Sequence, residues 1–411
     1  MKKLIIVIIS ALIALFLIAL PAINAVEPAE AEAAEAAAAE PEPEPPEKAP
    51  VQLLITCVGD VMVHQSQLTA QHDSSAGTYD FSNNFVHVKK YIEDSDVAIF
   101  NLETTFGGPP YTGYPVFSAP DELAKALRQT GFNVAVTANN HMLDRGLSGL
   151  ERTISVLREN GFPVAGSRAS GDSGPRYAMT EVKGVRIAVV AHTYAYGSSP
   201  GGLLLNGASV PKGAGDLIDY FRYEQMDEDL EKIKGIVDEA KSAGADIVIA
   251  YYHWGQEYQL KSNDMQRRIA ERTALDMDVD VIFASHPHTP QEMGVITSEA
   301  SGKRVPVFYS LGNFISNQRT ETLDVPVSRY TEIGIIARVS MEYDADRKEV
   351  TAVNPGAVPV WVDKYKSGGR DVYVLIPLDD GLEENVTLAA SGHLARAMKA
   401  WEDVNGILGV D

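Results

Sequence analysis

Seven short apolar runs recur along the body of the chain, and each ends in small or polar residues. The runs are 4–8 residues long and rich in Val and Ile, the pattern of strands that are buried on both faces. They are Leu53–Val58, Val97–Phe100, Val134–Thr137, Val185–Ala191, Ile247–Tyr252, Val281–Ala284 and Val307–Ser310. We therefore predict a β-strand at each run.

Stretches with helical character separate several of these runs. They are Asp121–Gln129, Leu147–Asn160, Tyr223–Ala243 and Met265–Met277. Alternating strands and helices predict α/β layers with mostly parallel strands. After about residue 331 the pattern becomes strand-rich, in Ile333–Met341, Val350–Val360 and Val372–Ile376. We predict a main domain over residues 51–330 and a strand-rich extension over residues 331–411 that packs on it.

The first 25 residues have the features of an export signal. Two lysines precede an uncharged apolar run, Leu4–Leu20, and Ala25 supplies a small residue suited to cleavage. The run also has the minimum length for a membrane anchor, so cleavage and retention both stay open. In either case we expect the body to be secreted or held at the extracellular face of the cell membrane. Residues 26–50, rich in Ala, Glu and Pro, predict a disordered linker.

Composition excludes several classes of protein. The 411 residues carry 35 basic and 56 acidic side chains, a formal net charge of −21. A general nucleic-acid binder needs a basic face, so we expect no nucleic-acid partner. The single cysteine, Cys57, excludes an intramolecular disulfide, a cysteine-rich zinc site and an iron–sulfur centre. A metal site in this chain must therefore use oxygen and nitrogen ligands.

Asp, Asn or His follows every apolar run, and α/β sheets bind ligands at the carboxyl ends of their strands. The residues concerned are Asp60, Asn101, Glu103, Asn140, His141, Asp144, His192, His253, Glu257, His286 and His288, with Asn313 after the last run. Carboxylate, amide and imidazole groups suit Zn, Mn or Fe(II). Two ions bridged by a carboxylate activate water and bind phosphoryl groups. A Gly-Asp pair such as that at Asp60 is also a common turn.

The sharpest local signal is His286-Pro287-His288. An i, i+2 pair on an extended segment places both imidazoles on the same side, and Pro287 stiffens the backbone; the alternative is two loop histidines. His253 is either a ligand or a core histidine beside Trp254. The remaining histidines, interpreted as surface or packing residues, are His64, His72, His87 and His393.

Two further motifs each allow a chemical and a structural interpretation. Asn140, His141 and Asp144 supply an amide ligand, an acid and a carboxylate that orients it, or else they begin a helix. Asn101 and Glu103 lie on one face of an extended segment, as ligands or as solvated polar groups.

Taken together, these motifs resemble the CapA family of capsule-synthesis proteins, which are associated with poly-γ-glutamate. The matching motifs, in order, are Gly59-Asp60-Val61-Met62, Asn101-Leu102-Glu103, Ala138-Asn139-Asn140-His141 with Asp144, His253-Trp254-Gly255-Gln256-Glu257, Ser285-His286-Pro287-His288 and Ser310-Leu311-Gly312-Asn313-Phe314. The family is similar to calcineurin-like metallophosphoesterases. The resemblance therefore implies a four-layer α/β/β/α sandwich with one or two divalent ions, Mn, Zn or Fe.

The resemblance also implies roles for single residues. The implied ligands are Asp60 and His288 for one metal, Asn140, His253 and His286 for the other, and Glu103 as the bridging carboxylate. His141 is the implied acid or phosphate contact, with Asp144 as its catalytic partner. The predicted substrate-binding residues are Asn101, His192, Glu257 and Asn313. Phosphoesterases have a histidine two residues after the first aspartate, where this chain has Met62, so the first metal site is a ligand short.

Three functions fit these features. The first is an exported CapA-like protein in capsule-polymer biosynthesis or export, with membrane-bound synthase components as partners and a phosphorylated or polyanionic substrate. The second is a secreted metal-dependent phosphoesterase or other hydrolase with no capsule role. The third, favoured by Met62, is a non-catalytic scaffold or polymer-binding subunit. Because the acidic surface repels a polyanion, a small or lipid-linked substrate is slightly favoured.

Overall fold

The structure, a computed structural model, describes residues 49–197 and 202–408. The predicted export signal and residues 26–48 of the predicted linker lie outside the described residues. The strands are β1 (Val51–Val61), β2 (His72–Asp73), β3 (Thr78–Tyr79), β4 (Val97–Leu102), β5 (Val134–Val136), β6 (Val164–Ala165), β7 (Ala178–Val182), β8 (Val185–Ala195), β9 (Leu204–Leu205), β10 (Ala208–Ser209), β11 (Tyr220–Arg222), β12 (Ile247–His253), β13 (Val281–Ser285), β14 (Met293–Thr297), β15 (Arg304–Phe308), β16 (Asn313–Ile315), β17 (Ile333–Asp344), β18 (Glu349–Ser367) and β19 (Arg370–Pro377).

Helices connect many of these strands. They are α1 (Gln65–Gln71), α2 (Lys89–Glu93), α3 (Glu122–Thr130), α4 (Gly146–Glu159), α5 (Met226–Ser242), α6 (Asp264–Asp276), α7 (Val386–Ser391) and α8 (Leu394–Leu408). Among the described residues, no helix combines the length and apolar character needed to cross a bilayer.

Two large sheets form the centre of the fold. The first has the strand order β19-β18-β17-β1-β4-β5-β6, and β16 pairs with the end of β1. Strands β1, β4, β5 and β6 are parallel, whereas β17, β18 and β19 are antiparallel to their neighbours. The second sheet has the order β11-β8-β12-β13-β15-β14, with a parallel centre from β11 to β15. The predicted α/β architecture is confirmed.

The sheets pack face to face, and helices cover their outer faces. Ile55 of the first sheet and Ile249 of the second belong to one buried apolar cluster between the sheets. Leu127 of α3 packs in a second cluster on the outer face of the first sheet, and Ile233 of α5 in a third on that of the second. The layers are therefore α/β/β/α. All seven residues of β12 are buried, because this central strand is covered on both faces.

The prediction that the chain after residue 331 is rich in strands is confirmed. β17 pairs with β1 from Val51↔Tyr343 to Val58↔Ile336, so these late strands continue the first sheet. Helix α8 is an addition that the sequence pattern did not predict. Its buried residues, among them Ala397 and Val404, join the cluster between the sheets.

The parallel strands of both sheets end at one side of the molecule, which we call the carboxyl edge. In the first sheet β1, β4 and β5 end there, and in the second sheet β8, β12 and β13. Loops that follow these strands can bring side chains of both sheets together.

Candidate metal centre

Seven predicted site residues meet at the carboxyl edge, each carried by the end of a parallel strand or the loop that follows it. They are Asp60 in β1, Glu103 after β4, Asn140 and His141 after β5, His253 in β12, and His286 and His288 after β13. All are buried. The two sheets thus contribute to a single cluster.

Among the described residues, the cluster contains three overlapping groups of donor atoms, and two of these groups share Glu103. The donor atoms of Asp60, Glu103 and His288 all lie within 4.8 Å of one another, and so do those of Glu103, His253 and His286. Glu103 belongs to both groups, which is the position of a carboxylate shared by two cations.

Glu103 itself is fully buried, and neither carboxylate oxygen has a hydrogen-bond partner. Its Oε1 lies 3.5 Å from Nε2 of His253 and 3.8 Å from Nε2 of His288. Burial raises the pKa of Glu103 well above its usual range, and the negative charge of Asp60 adds to this effect. Nδ1 of His286 is likewise buried without a partner. Buried donor atoms left open in this way fit divalent cations coordinated by oxygen and nitrogen.

Asp60 and His288 are oriented by two asparagines. Asn101 donates its Nδ2 to Oδ1 of Asp60 at 2.8 Å. Nδ1 of His288 lies 3.1 Å from both Oδ2 of Asp60 and Oδ1 of Asn313. Since both oxygens are acceptors, Nδ1 carries a proton, and Nε2 faces Glu103. Asn139, which belongs to the predicted Ala138-Asn139-Asn140-His141 motif but was given no role of its own, donates in turn to Oδ1 of Asn101 at 3.1 Å.

The charges of this pair stabilise each other. Burial alone raises the pKa of Asp60, but the hydrogen bond and the charge of His288 outweigh it and hold the pKa below its usual value. For His288, burial lowers the pKa, and the hydrogen bond and charge of Asp60 raise it above its usual value.

The second group of donors is held as neutral imidazoles. Burial lowers the pKa of His253 to about 3 and that of His286 well below its usual value. Neutral imidazole is the form that binds metals. Oδ1 of Asn140 lies 2.9 Å from Nε2 of His253, so the amide oxygen and the imidazole nitrogen converge.

His141 stands beside the cluster with its own partner. Its Nδ1 donates to Oδ2 of Asp144 at 2.9 Å, and the backbone N–H of Phe117 donates to the same oxygen at 2.7 Å. The ring of Phe117 packs edge-on against His141 with centroids 4.8 Å apart. This arrangement fixes the imidazole and leaves its Nε2 as the reactive nitrogen.

The backbone of the histidine motif differs from the sequence-based expectation. We expected an extended segment, but His286 and His288 have φ values of +104° and +57°. The chain therefore bends sharply, and the two ring centroids lie 6.0 Å apart. Positive φ is uncommon for residues other than glycine, although histidine adopts it more often than most, and strained backbone clusters at functional sites.

The predicted substrate-binding residues occupy three different settings. Asn101 and Asn313 are fully buried behind Asp60 and His288, which favours a positioning role over contact with a substrate. Glu257 is exposed and forms a further donor group with His286 and His288, so it lies at the mouth of the cluster.

The neighbours of His192 indicate that this residue lies apart from the cluster. Strand alternation directs it to the helix-covered face of β8, and the charges of Arg176 and Asp229 act on it there. Burial lowers its pKa to about 3, as expected of a packed neutral histidine.

Two residues near the cluster were missed by sequence reasoning. Tyr194 packs its ring 4.7 Å from that of His286, and His64 is influenced by the charges of His288 and His141. His64 lies four residues after Asp60, which was the only signal for it in the sequence.

The facing sheets and the outer helices define a four-layer α/β/β/α sandwich with a buried cluster of Asp, Glu and His at its carboxyl edge. Residues 54–318 match the family described as bacterial capsule synthesis protein PGA_cap. The chain belongs to this family, and the predicted resemblance is confirmed.

Named relatives agree with this family. The chain is 30% identical over 295 residues to the capsule biosynthesis protein CapA of Bacillus anthracis, covering 68% of this chain and 64% of that protein. It is 31% identical over 211 residues to the PGA biosynthesis protein CapA of Bacillus subtilis (strain 168), covering 51% and 49%. The chain thus spans less than two thirds of the length of these relatives. A crystal structure titled a novel phosphatase, from Mycoplasma pneumoniae, superposes with a TM-score of 0.43 and 12% identity over 75% of this chain and 94% of that one.

Proposed function

We propose that this chain is an exported protein of capsule-polymer biosynthesis that carries a two-metal, phosphoesterase-type site. The observation that carries the metal site is Glu103, a buried carboxylate without hydrogen-bond partners at the junction of two donor groups. The names of the relatives support the capsule role. Export is supported by the features of residues 1–25.

In this proposal the two groups of donors hold the ions. Asp60 and His288 would hold one, His253, His286 and Asn140 would hold the other, and Glu103 would be available to both. Divalent ions bound there supply the charge that activates a water and binds phosphoryl oxygens.

The chain's own acid is His141. Because Nδ1–H is held by Asp144, the protonated imidazolium of His141 would donate its Nε2 proton to the leaving oxygen of a phosphoester and become a neutral imidazole. Glu257 at the mouth orients the entering substrate.

A non-catalytic role in a membrane-bound synthase is the second candidate, and Met62 favours it. Met62 lies two residues after Asp60, where the phosphoesterase pattern has a histidine, and its side chain is buried. A thioether is a poor ligand for hard divalent ions, so one of the two sites has fewer donors than a two-metal enzyme normally provides.

Turnover measurements separate the two candidates. The purified protein is loaded with Mn or Zn and assayed against phosphomonoesters, phosphodiesters and poly-γ-glutamate. We expect metal-dependent turnover that His286→Ala abolishes and His87→Ala leaves unchanged, since His87 lies away from the cluster and bonds Thr387. Bound metal without turnover of any of these substrates contradicts the enzyme proposal and supports the scaffold.

A further inference from the structure

Aromatic side chains gather around the mouth of the candidate metal centre. Tyr114 and Tyr196 are 71% and 41% exposed, and they lie on loops that follow β4 and β8 at the carboxyl edge. Tyr258 lies on the loop that follows β12. We call Tyr114, Tyr196 and Tyr258 the aromatic rim. Exposed aromatic groups collected at one functional edge indicate a binding surface.

Each rim residue packs near an imidazole of the cluster, either directly or, for Tyr196, through Tyr194. The ring centroids are 6.5 Å apart for Tyr114 and His141, 6.1 Å for Tyr258 and His288, and 5.3 Å for Tyr196 and Tyr194, whose ring lies 4.7 Å from that of His286. A ligand lying on the rim is therefore next to the donor groups.

The backbone holds Tyr258 in an unusual conformation. Its φ is +62°, a value that bulky side chains rarely adopt, and its N–H donates to the carbonyl of Pro287 at 2.8 Å. The residue is thus tied to the histidine motif itself. Strain retained at such a position is typical of a functional constraint.

A small hairpin holds Tyr196 on the other side of the mouth. Tyr196 exchanges two backbone hydrogen bonds with Leu204, at 3.0 and 2.8 Å. Leu204 begins the hairpin β9–β10, whose turn is Asn206-Gly207. Oδ1 of Asn206 accepts a hydrogen bond from Asn140 at 3.4 Å. The rim and a proposed metal ligand are therefore connected through one element.

Charge at the mouth indicates what the rim binds. Glu257 is exposed there and Glu103 lies beneath it. The exposed carboxylate of Glu257 repels a bare polyanion, but it accepts hydrogen bonds from hydroxyl groups.

From these observations we propose that the aromatic rim binds an uncharged sugar ring and holds it beside the metal centre. The apolar face of a sugar packs on the exposed rings, and its hydroxyls donate to Glu257. This inference rests on the proposed function, because the sugar would be the uncharged part of the phosphoester that reaches the metal centre.

Binding of a neutral disaccharide, N,N′-diacetylchitobiose, tests the rim by saturation-transfer NMR and calorimetry, with γ-linked tetraglutamate as the anionic comparison. Measurements are made on the full chain with Mn and again with EDTA. We expect the disaccharide to bind in both conditions. Tyr114→Ala and Tyr196→Ala each weaken binding by about two- to tenfold, whereas the phenylalanine variants bind within about twofold of the wild type. Met398→Ala, which alters a side chain on α8 that is 45% exposed, close to the 41% of Tyr196, leaves binding unchanged.

No binding of the disaccharide overturns the inference, and so does binding that the tyrosine variants leave intact. Preferential binding of tetraglutamate overturns it as well and favours the polymer itself as the ligand. The proposed metal centre can be contradicted independently of the aromatic rim. Disaccharide binding by a protein that takes up no Mn supports the rim and contradicts the metal centre, whereas Mn uptake without disaccharide binding contradicts the rim alone.

Discussion

Replacement of Glu103 by glutamine provides a direct test of the buried carboxylate. In the metal-free protein Glu103 is fully buried, and its pKa is raised well above the usual 4.5. The folded state then binds a proton that the unfolded chain releases, so stability must fall as pH rises above 4.5. The slope is about 1.4 kcal/mol per pH unit until the pKa of Glu103 in the folded state is reached.

Glu103→Gln removes the ionisable group and should remove this slope. Between pH 5 and pH 7 the free energy of unfolding of the metal-free wild type should fall relative to the variant by about 1–3 kcal/mol. Urea denaturation in EDTA, followed by tryptophan fluorescence at several pH values, measures the difference. The exposed Glu299→Gln serves as the matched control and should follow the wild type.

Bound metal should stabilise the wild type more than the Glu103→Gln variant. At a concentration 100 times the dissociation constant, bound ion stabilises the wild type by about 2.7 kcal/mol, and Glu103→Gln should lose most of this gain. Parallel pH profiles for the wild type and the variant in EDTA would contradict the raised pKa of Glu103. Equal stabilisation of both proteins by Mn would contradict its role in metal binding.

Three further substitutions test single parts of the site. Met62→His restores the missing ligand and should raise the number of bound ions towards two, measured by elemental analysis. Asn101→Ala removes the donor to Asp60 and should weaken metal affinity about 10- to 100-fold in a competition titration with a chelator, although Asn101 touches no ion itself. An effect below twofold would contradict its positioning role. His141→Ala should lower phosphoester turnover by about 10²–10⁴-fold with metal content unchanged, and loss of metal would instead make His141 a ligand.

The strands and most of the cluster are predictable from the sequence because both depend on local patterns. Buried parallel strands read as continuous apolar runs, and catalytic side chains follow their carboxyl ends. The same property explains the misplacement of His192. In a strand buried on both faces, such as β8, apolar residues do not alternate with polar ones, so the sequence does not tell which face His192 occupies.

Other features depend on contacts distant in sequence. The left-handed backbone at His286 and His288 carries no local signal, since neither residue is a glycine. The positioning role of Asn313 arises from its contact with His288 across a loop. The turn at Asn206-Gly207 is a recognisable hairpin signal, but its contact with Asn140 is visible only in the fold.

The metal content of the purified protein shows most directly whether the cluster at the carboxyl edge binds divalent ions. Elemental analysis is carried out on the wild type, on the His286→Ala/His288→Ala double variant and on His87→Ala as control. We expect up to two equivalents of Mn, Fe or Zn in the wild type and in His87→Ala, and loss of the metal in the double variant. A wild-type protein that binds no divalent ion at neutral pH, or a double variant that retains its full metal content, would contradict this expectation.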